Sequence, residues 1–144
     1  MPPERNILFL LDGTDMKAEA IKYVAGLAQR VEAGVIVLVL IRVEFDGEEG
    51  CDSDEDYLVE FYLRGKAALG KCLALLREMG IDAGGAVRVG EPGSEAMKFL
   101  AEDHALHSVV WGGNRSLFAG MRFKPGEHWI AILKDKLGCP LVAP

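Results

Sequence analysis

The strongest constraint on this 144-residue chain is the repeated alternation of short apolar runs with segments of helical periodicity. Residues 6–11 are apolar almost without interruption and residues 35–43 are rich in β-branched residues, which is typical of strands buried on both faces. Residues 81–89 form a weaker predicted strand, diluted by Gly84 and Gly85. Between these runs, apolar residues recur every three or four positions, as they do on one face of a helix. The predicted strands comprise residues 6–11, 35–43, 81–89, 108–111 and 139–143.

Four helices are predicted between these strands. The first covers residues 14–31, with Thr14 or Asp15 placed to cap it. The second is long and ends at Gly80, the third begins at Pro92, and the fourth begins near Gly126. The residues expected to face the core are Leu58, Phe61, Leu69, Cys72, Leu73, Leu76 and Met79 in the second helix, Ala96, Met97, Leu100 and Ala101 in the third, and Trp129, Ile130, Leu133 and Leu137 in the fourth.

A βαβαβαβαβ order predicts an α/β fold in which right-handed crossovers build a parallel sheet covered by helices on both faces. We expect a single domain over residues 1–144, with five strands in the order 3-2-1-4-5. In such sheets, ligands bind beyond the carboxyl ends of the strands, at the point where the strand order reverses. That point lies between the first and fourth strands, where the sequence has Asp12-Gly13 and Gly112-Gly113.

Charge and composition exclude several classes of function. The chain has 16 basic and 22 acidic residues, and eight of the acids lie in residues 44–56, which leaves 16 against 14 elsewhere. Without a basic stripe, a nucleic-acid partner is not predicted. No apolar stretch approaches the roughly 20 residues that span a bilayer, so no membrane association is predicted. The three widely spaced cysteines form neither a disulfide framework nor a CxxC zinc site, and we expect a cytoplasmic protein.

No catalytic or metal-binding constellation is found in the sequence. The acidic tract of residues 52–56 lacks the glycine and the bidentate glutamate of a calcium loop. His104 and His107 straddle a helix end and a strand start, so they do not share a helical face. Ser94 and Ser116 have no identifiable base, and the motifs of dinucleotide, P-loop and hydrolase sites are missing. We expect Cys139 to be a buried strand residue.

Two common five-stranded families are excluded by their own motifs. The third strand ends in Arg88-Val89-Gly90, without the acid that a response-regulator receiver needs there, and the fifth strand carries no lysine. The turn after the first strand, Asp12-Gly13-Thr14-Asp15, is too acidic to hold the phosphate of FMN.

The chain resembles the universal stress protein family over nearly its whole length. NILFLLDGTD is similar to that family's first strand, with its terminal aspartate, and GEPGSEAMKFLAEDH to the entry of its third helix. HSVVWGGNRS is similar to the fourth strand, and GEHWIAILKDKLGCPLVAP to the last helix and fifth strand. The resemblance implies a Rossmann-like fold of the adenine-nucleotide alpha-hydrolase type. It also implies a homodimer formed through the C-terminal strand.

The nucleotide loop that this resemblance implies is altered. In nucleotide-binding members, the loop reads Gly, two residues, Gly, nine residues, Gly, then Ser or Thr, and its glycines let backbone amides approach phosphates. Here Gly113 and Gly126 fit the outer glycines, Ser116 replaces the middle glycine, and Glu127 replaces the hydroxyl residue. A carboxylate in the first turn of the last helix favours that N-terminus and repels anions from it.

Other residues of this implied site have structural interpretations as well. Asp12 is expected either to contact a nucleotide's base or ribose or to serve as a turn residue at the helix entry, and both interpretations stay open. Val43, or a neighbour in residues 40–42, would flank the adenine, or would simply end a strand. With Gly112, these complete the predicted binding residues.

Two functions remain open on the sequence. The first is a cytoplasmic stress-response or regulatory module, not an enzyme, with a degenerate nucleotide loop, no tight ATP binding and a protein partner that the sequence does not identify. The alternative is an ATP-binding switch, with or without slow hydrolysis, in which Arg115, Arg122 and Lys124 compensate for the lost glycine. Glu127 and Ser116 favour the first.

Overall fold

The computed structural model describes residues 5–14, 16–42, 54–102, 104–112 and 137–142. For residues 54–57 it describes the backbone of a helix and not the side chains. The elements are β1 (Asn6–Asp12), α1 (Ala18–Val31), β2 (Gly34–Arg42), α2 (Asp54–Glu78), β3 (Ala83–Gly90), α3 (Pro92–Ala101), β4 (Leu106–Trp111) and β5 (Leu141–Val142). The helix predicted from Gly126 and its inward residues up to Leu133 lie outside the described residues.

The five strands form one sheet in the order β3-β2-β1-β4-β5. Every pairing is parallel, and β1 is hydrogen-bonded to β2 on one side and to β4 on the other. The predicted α/β fold and strand order are therefore confirmed. The strand order reverses at β1, because the chain moves outward through β2 and β3 and then returns to the opposite side for β4.

The alternation of side chains along β1 divides the core between the two faces of the sheet. Ile7, Phe9 and Leu11 pack in a cluster with residues of α1 and α2. Leu8 and Leu10 pack in a second cluster with Ala96 and Phe99 of α3. All five β1 side chains are fully buried, as the unbroken apolar run predicts.

Three expectations about the helices are wrong. The first helix begins at Ala18 and not at residue 14, and its N-cap is Lys17, which makes no side-chain cap hydrogen bond. Thr14 lies four residues before this start, too far to reach the free amides of the first turn. The other two errors concern which side chains α2 and α3 bury.

In α3, the predicted core face is displaced around the helix. The buried residues are Pro92, Ala96 and Phe99, whereas Met97 is 37% exposed and Ala101 is exposed. In α2, Leu69, Cys72 and Leu76 are buried as predicted, but Leu58 and Met79 are each 39% exposed. Packing against β2 and β3 selects the buried face, and both helices carry more apolar residues than one face can hold.

Within the described residues, no helix is both long enough and apolar enough to cross a bilayer.

Candidate functional site

The carboxyl ends of β1 and β4 lie side by side where the strand order reverses. Leu10 pairs with Trp111, so Gly112 follows β4 beside the end of β1, where Asp12 is the last residue. Asp12 is half-buried, and the alternation along β1 places it on the face to which Leu8 and Leu10 belong. The sheet topology places Asp12 and Gly112 at neighbouring strand ends, and their role in binding stays a prediction.

Gly13 turns the chain away from the sheet at the end of β1. Its φ of +89° lies in the region that side chains with a Cβ rarely adopt, which explains a glycine directly after the strand. Its amide donates a hydrogen bond to the carbonyl of Leu40 at 2.7 Å. This bond extends the hydrogen-bond ladder between β1 and β2. The first amide beyond Asp12 therefore already has a partner within the sheet.

Gly112 has no room for a side chain. A Cβ at this position would lie 2.6 Å from Leu11 Cδ2 and 2.6 Å from Phe9 Cε1, and both of these side chains are fully buried. The Gly112 amide donates to the carbonyl of Leu10 at 2.8 Å. A side chain here would force the buried Leu11 and Phe9 side chains to move, so packing favours glycine whatever the crevice binds.

The backbone amides of Gly13 and Gly112 already have hydrogen-bond partners, which limits what the described part of the crevice can bind. A phosphate held at such a crevice is bound by backbone N–H groups that point at it and have no other partner. The amides of Gly13 and Gly112 both have carbonyl partners, so neither is such a donor. Asp12 brings a carboxyl group, which suits hydroxyl and amine groups better than phosphate oxygens.

The remaining predicted binding residues lie outside the described part of the chain: Val43, Gly113, Ser116, Gly126 and Glu127. Of the predicted set, the structure brings together Asp12 and Gly112. The Leu40 carbonyl that Gly13 engages was not predicted from the sequence. The sequence held one indication of this hydrogen bond, the Asp12-Gly13 pair, because a glycine just after a strand marks a turn whose amide needs a partner.

The described cysteines and histidines do not form a reactive group. Burial raises the pKa of the Cys72 thiol to about 11, and partial burial also raises the pKa of Cys139. Raised thiol pKa values mean little thiolate at neutral pH, so neither cysteine has the environment of a nucleophile. Cys139 is half-buried and precedes β5, so the expectation that it is a buried strand residue is wrong.

His104 and His107 have separate partners. The ring nitrogen Nε2 of His104 lies 2.9 Å from the carbonyl of Phe99, whereas Nδ1 of His107 lies 3.1 Å from Ser108 Oγ. Among the described side chains, no group of three or more His, Cys, Asp or Glu residues is arranged to hold a metal ion.

Solved structures match this chain over nearly its whole length, although neither a family model nor a curated protein sequence does. The universal stress protein UspA from Lactobacillus plantarum superposes with a TM-score of 0.72 at 15% identity, over 99% of each chain. A universal stress family protein from Burkholderia pseudomallei gives 0.69 at 16% identity, over 98% of this chain and 96% of the other. The universal stress protein from Archaeoglobus fulgidus in complex with dAMP gives 0.59 at 19% identity, over 96% of each chain.

These matches define the class of fold. The chain has the Rossmann-like fold of the universal stress proteins, with the same extent and in agreement with the family that the sequence resembles. At identities below 20%, the likeness is one of fold. The fold alone does not identify a ligand, which depends on the residues of the crevice.

Proposed function

We propose that this protein is a regulatory module of the universal stress type, not an enzyme, and that its nucleotide crevice is degenerate. The observation that carries the proposal is the replacement of a loop glycine by Ser116 and of the following hydroxyl residue by Glu127. The amides of Gly13 and Gly112 already donate to carbonyls of the sheet and do not compensate for it. The crevice lies where α/β folds bind ligands, and Asp12 stands at its edge. Yet the described backbone leaves no amide of this pair for a phosphate.

Two residues of the predicted phosphate loop explain why we expect weak nucleotide binding. A nucleotide would depend on the segment that contains Ser116 and Glu127, because Gly13 and Gly112 donate elsewhere. Ser116 stands where nucleotide-binding members have a glycine, and its Cβ restricts the approach of the backbone to a phosphate. Glu127 adds a negative charge where the phosphates would lie, and like charges repel.

The alternative is an ATP-binding switch with slow hydrolysis. Arg115, Arg122 and Lys124 favour it, because three cations in one short segment are suited to binding phosphates. The Archaeoglobus fulgidus protein of this fold, solved in complex with dAMP, also favours it. Asp12 fits both proposals, since its carboxylate can accept a hydrogen bond from a ribose hydroxyl.

Calorimetric titration of nucleotide-free protein with MgATP separates the two functions. The degenerate-site proposal expects no heat of binding at micromolar ATP and weak or no binding at millimolar ATP. Micromolar binding that is lost in the variant Asp12→Asn would overturn it in favour of the switch. Substitution of Asp12 removes one charge at the crevice and leaves the buried residues of β1 in place.

We further propose a cytoplasmic homodimer that acts on a protein partner. β5 is the last strand of the sheet and pairs with β4 through Leu141 and Val142, both half-buried. A sheet edge with apolar side chains is commonly covered by pairing with a second copy. Two β5 strands that meet antiparallel across a two-fold axis would satisfy this requirement.

A further inference from the structure

A second cleft lies at the end of the sheet opposite to the crevice. It has a volume of about 570 Å³ and lies between the last turn of α3, the start of β4 and residues 137–139. This volume falls within the range of about 300–1,000 Å³ that is usual for small-molecule sites. Leu106 at the start of β4 lines it, whereas Gly112 of the crevice follows the other end of that strand, so the two sites are separate.

The walls of this cleft combine apolar and polar groups. Met97 and Leu100 line it from α3, Leu106 from β4, and Leu137 from the segment before β5. Met97 is 37% exposed, so part of this apolar wall is open to solvent. A ligand with an apolar body would remove this apolar surface from water, which favours binding.

The polar side chains that line the cleft include the carboxylate of Glu102 and the imidazole of His104. Nε2 of His104 lies 2.9 Å from the Phe99 carbonyl and 3.2 Å from Glu102 Oε2. Both partners are acceptors, so Nε2 carries a proton and donates to them. The ring is held in place by stacking on Phe99, with centroids 4.1 Å apart and planes 10° apart.

Two features make this end of the cleft negative. Glu102 lines the cleft directly after the last turn of α3, and the C-terminus of a helix carries partial negative charge. Among the described residues, Arg88 also approaches this carboxylate, and its Nη2 lies 3.5 Å from Glu102 Oε1, at the limit of a hydrogen bond. The Glu102 side chain is 54% exposed, so a second cation can reach it.

We propose that this cleft binds a small organic cation, an apolar body that carries a protonated amine. The apolar walls accommodate the body, and Glu102, with His104 behind it, receives the ammonium group. An anion is disfavoured because it would face a carboxylate and a helix C-terminus. The inference is independent of whether the crevice binds ATP.

Two probes of similar size and opposite charge test the proposal on the full chain. In nitrogen-15 amide spectra, 2-phenylethylammonium should shift the resonances of Glu102, His104 and Leu106 and saturate. The anion 3-phenylpropanoate should bind several-fold more weakly. Equal binding of the two probes, or shifts confined to the residues around Asp12 and Gly112, would overturn the proposal.

Three variants locate the binding. Ala101→Trp fills the cleft from an exposed position of α3 and should weaken amine binding about tenfold, as expected for overpacking of a site. Lys98→Trp is the matched control, because Lys98 lies on the same helix, is 72% exposed and does not line the cleft. Equal weakening by both variants would contradict the proposal.

The third variant, Glu102→Gln, keeps the shape of the side chain and removes its charge. It should weaken 2-phenylethylammonium by roughly threefold, since the carboxylate is half exposed and screened by solvent. Binding of 3-phenylpropanoate should rise or stay unchanged. This variant also keeps the proposal testable if Ala101→Trp fails to fold. An unchanged affinity for the amine would overturn the role of Glu102.

Discussion

Gly112 lies at the crevice, but packing within the core already explains why this residue is a glycine. Its missing Cβ leaves room for Leu11 and Phe9, which belong to the core cluster beneath α1 and α2. The sequence predicts a binding role for Gly112 because glycines gather at this strand end. The structure adds a packing reason that applies even if nothing binds.

Substitution of Gly112 by alanine should therefore destabilise the protein. The added Cβ would lie 2.6 Å from two fully buried side chains, and overpacking of this kind costs about 1–3 kcal/mol. Gly138→Ala is the matched control, because a Cβ there meets nothing within 4 Å. Urea unfolding should show a loss for Gly112→Ala and a change within about 0.5 kcal/mol for Gly138→Ala. Equal stabilities would contradict this packing argument.

The residues of the crevice show what could be predicted from the sequence. The neighbouring strand ends that carry Asp12 and Gly112 were predictable, because apolar runs identify strand ends and parallel topology brings those ends to one edge. The binding role of the two residues stays a prediction. The hydrogen bond from Gly13 to Leu40 was not predicted. Its partner lies on another strand, and which carbonyl a turn amide meets depends on the register between β1 and β2.

At the scale of elements, helix α2 contains two glycines with very different surroundings, Gly65 and Gly70. Gly65 lies where the helix approaches the sheet closely, and a Cβ there would be 2.5 Å from Val87 Cγ1 and 3.2 Å from Ile41 Cγ1. Gly70 lies about one and a half turns further on and is exposed, and a Cβ at this position would meet nothing within 4 Å. Both lie inside the same helix and carry the same loss of helix propensity.

Alanine substitution should have opposite effects at these two positions. Gly70→Ala should raise the free energy of unfolding by about 1 kcal/mol, the propensity difference between glycine and alanine. Gly65→Ala gains the same propensity but forces the stiff, β-branched Val87 to move, and we expect a net loss of about 1–2 kcal/mol. Thermal or urea unfolding of both variants measures the difference. A stabilised Gly65→Ala protein would show that α2 and β3 are less tightly packed than described.

The helices also show why some boundaries and faces were predicted wrongly. Thr14 and Asp15 are good capping residues and therefore predict a start of α1 at residue 14, but the chain continues to Lys17 before the helix begins. In α3, the residues Met97, Phe99, Leu100 and Ala101 allow more than one apolar face. The choice of Ala96 and Phe99 is made by their packing against the Leu8 and Leu10 side of the sheet.

At the scale of the whole molecule, the strand order was predictable and the assembly is the open question. Alternating strands and helices with right-handed crossovers leave few topologies, and the observed order β3-β2-β1-β4-β5 is one of them. The same sheet leaves β5 at one edge and β3 at the other. The proposed dimer pairs through β5, where Leu141 and Val142 are apolar and half-buried.

The protein is therefore expected to sediment as a dimer, at twice the chain mass, at micromolar concentration. Leu141→Arg, which places a charge on half-buried β5, should shift the dimer towards monomer. Leu63→Arg is the control, since Leu63 is 60% exposed on α2, which packs on β2 and β3 at the other side of the sheet. A monomeric parent protein, or dissociation caused by Leu63→Arg and not by Leu141→Arg, would rule out the β5 interface.

The central claim is that Ser116 and Glu127 degrade the nucleotide site, and a paired calorimetric titration with MgATP tests it most directly. The double variant Ser116→Gly, Glu127→Ser restores backbone access and a hydroxyl and removes a negative charge. Ser94→Gly, Glu95→Ser makes the same two changes at neighbouring positions of α3 and is the matched control. We predict that the first variant binds ATP at least tenfold more tightly than the parent, about 1.4 kcal/mol, and that the control does not. If the Ser116 and Glu127 variant binds no better than the parent, the claim is wrong.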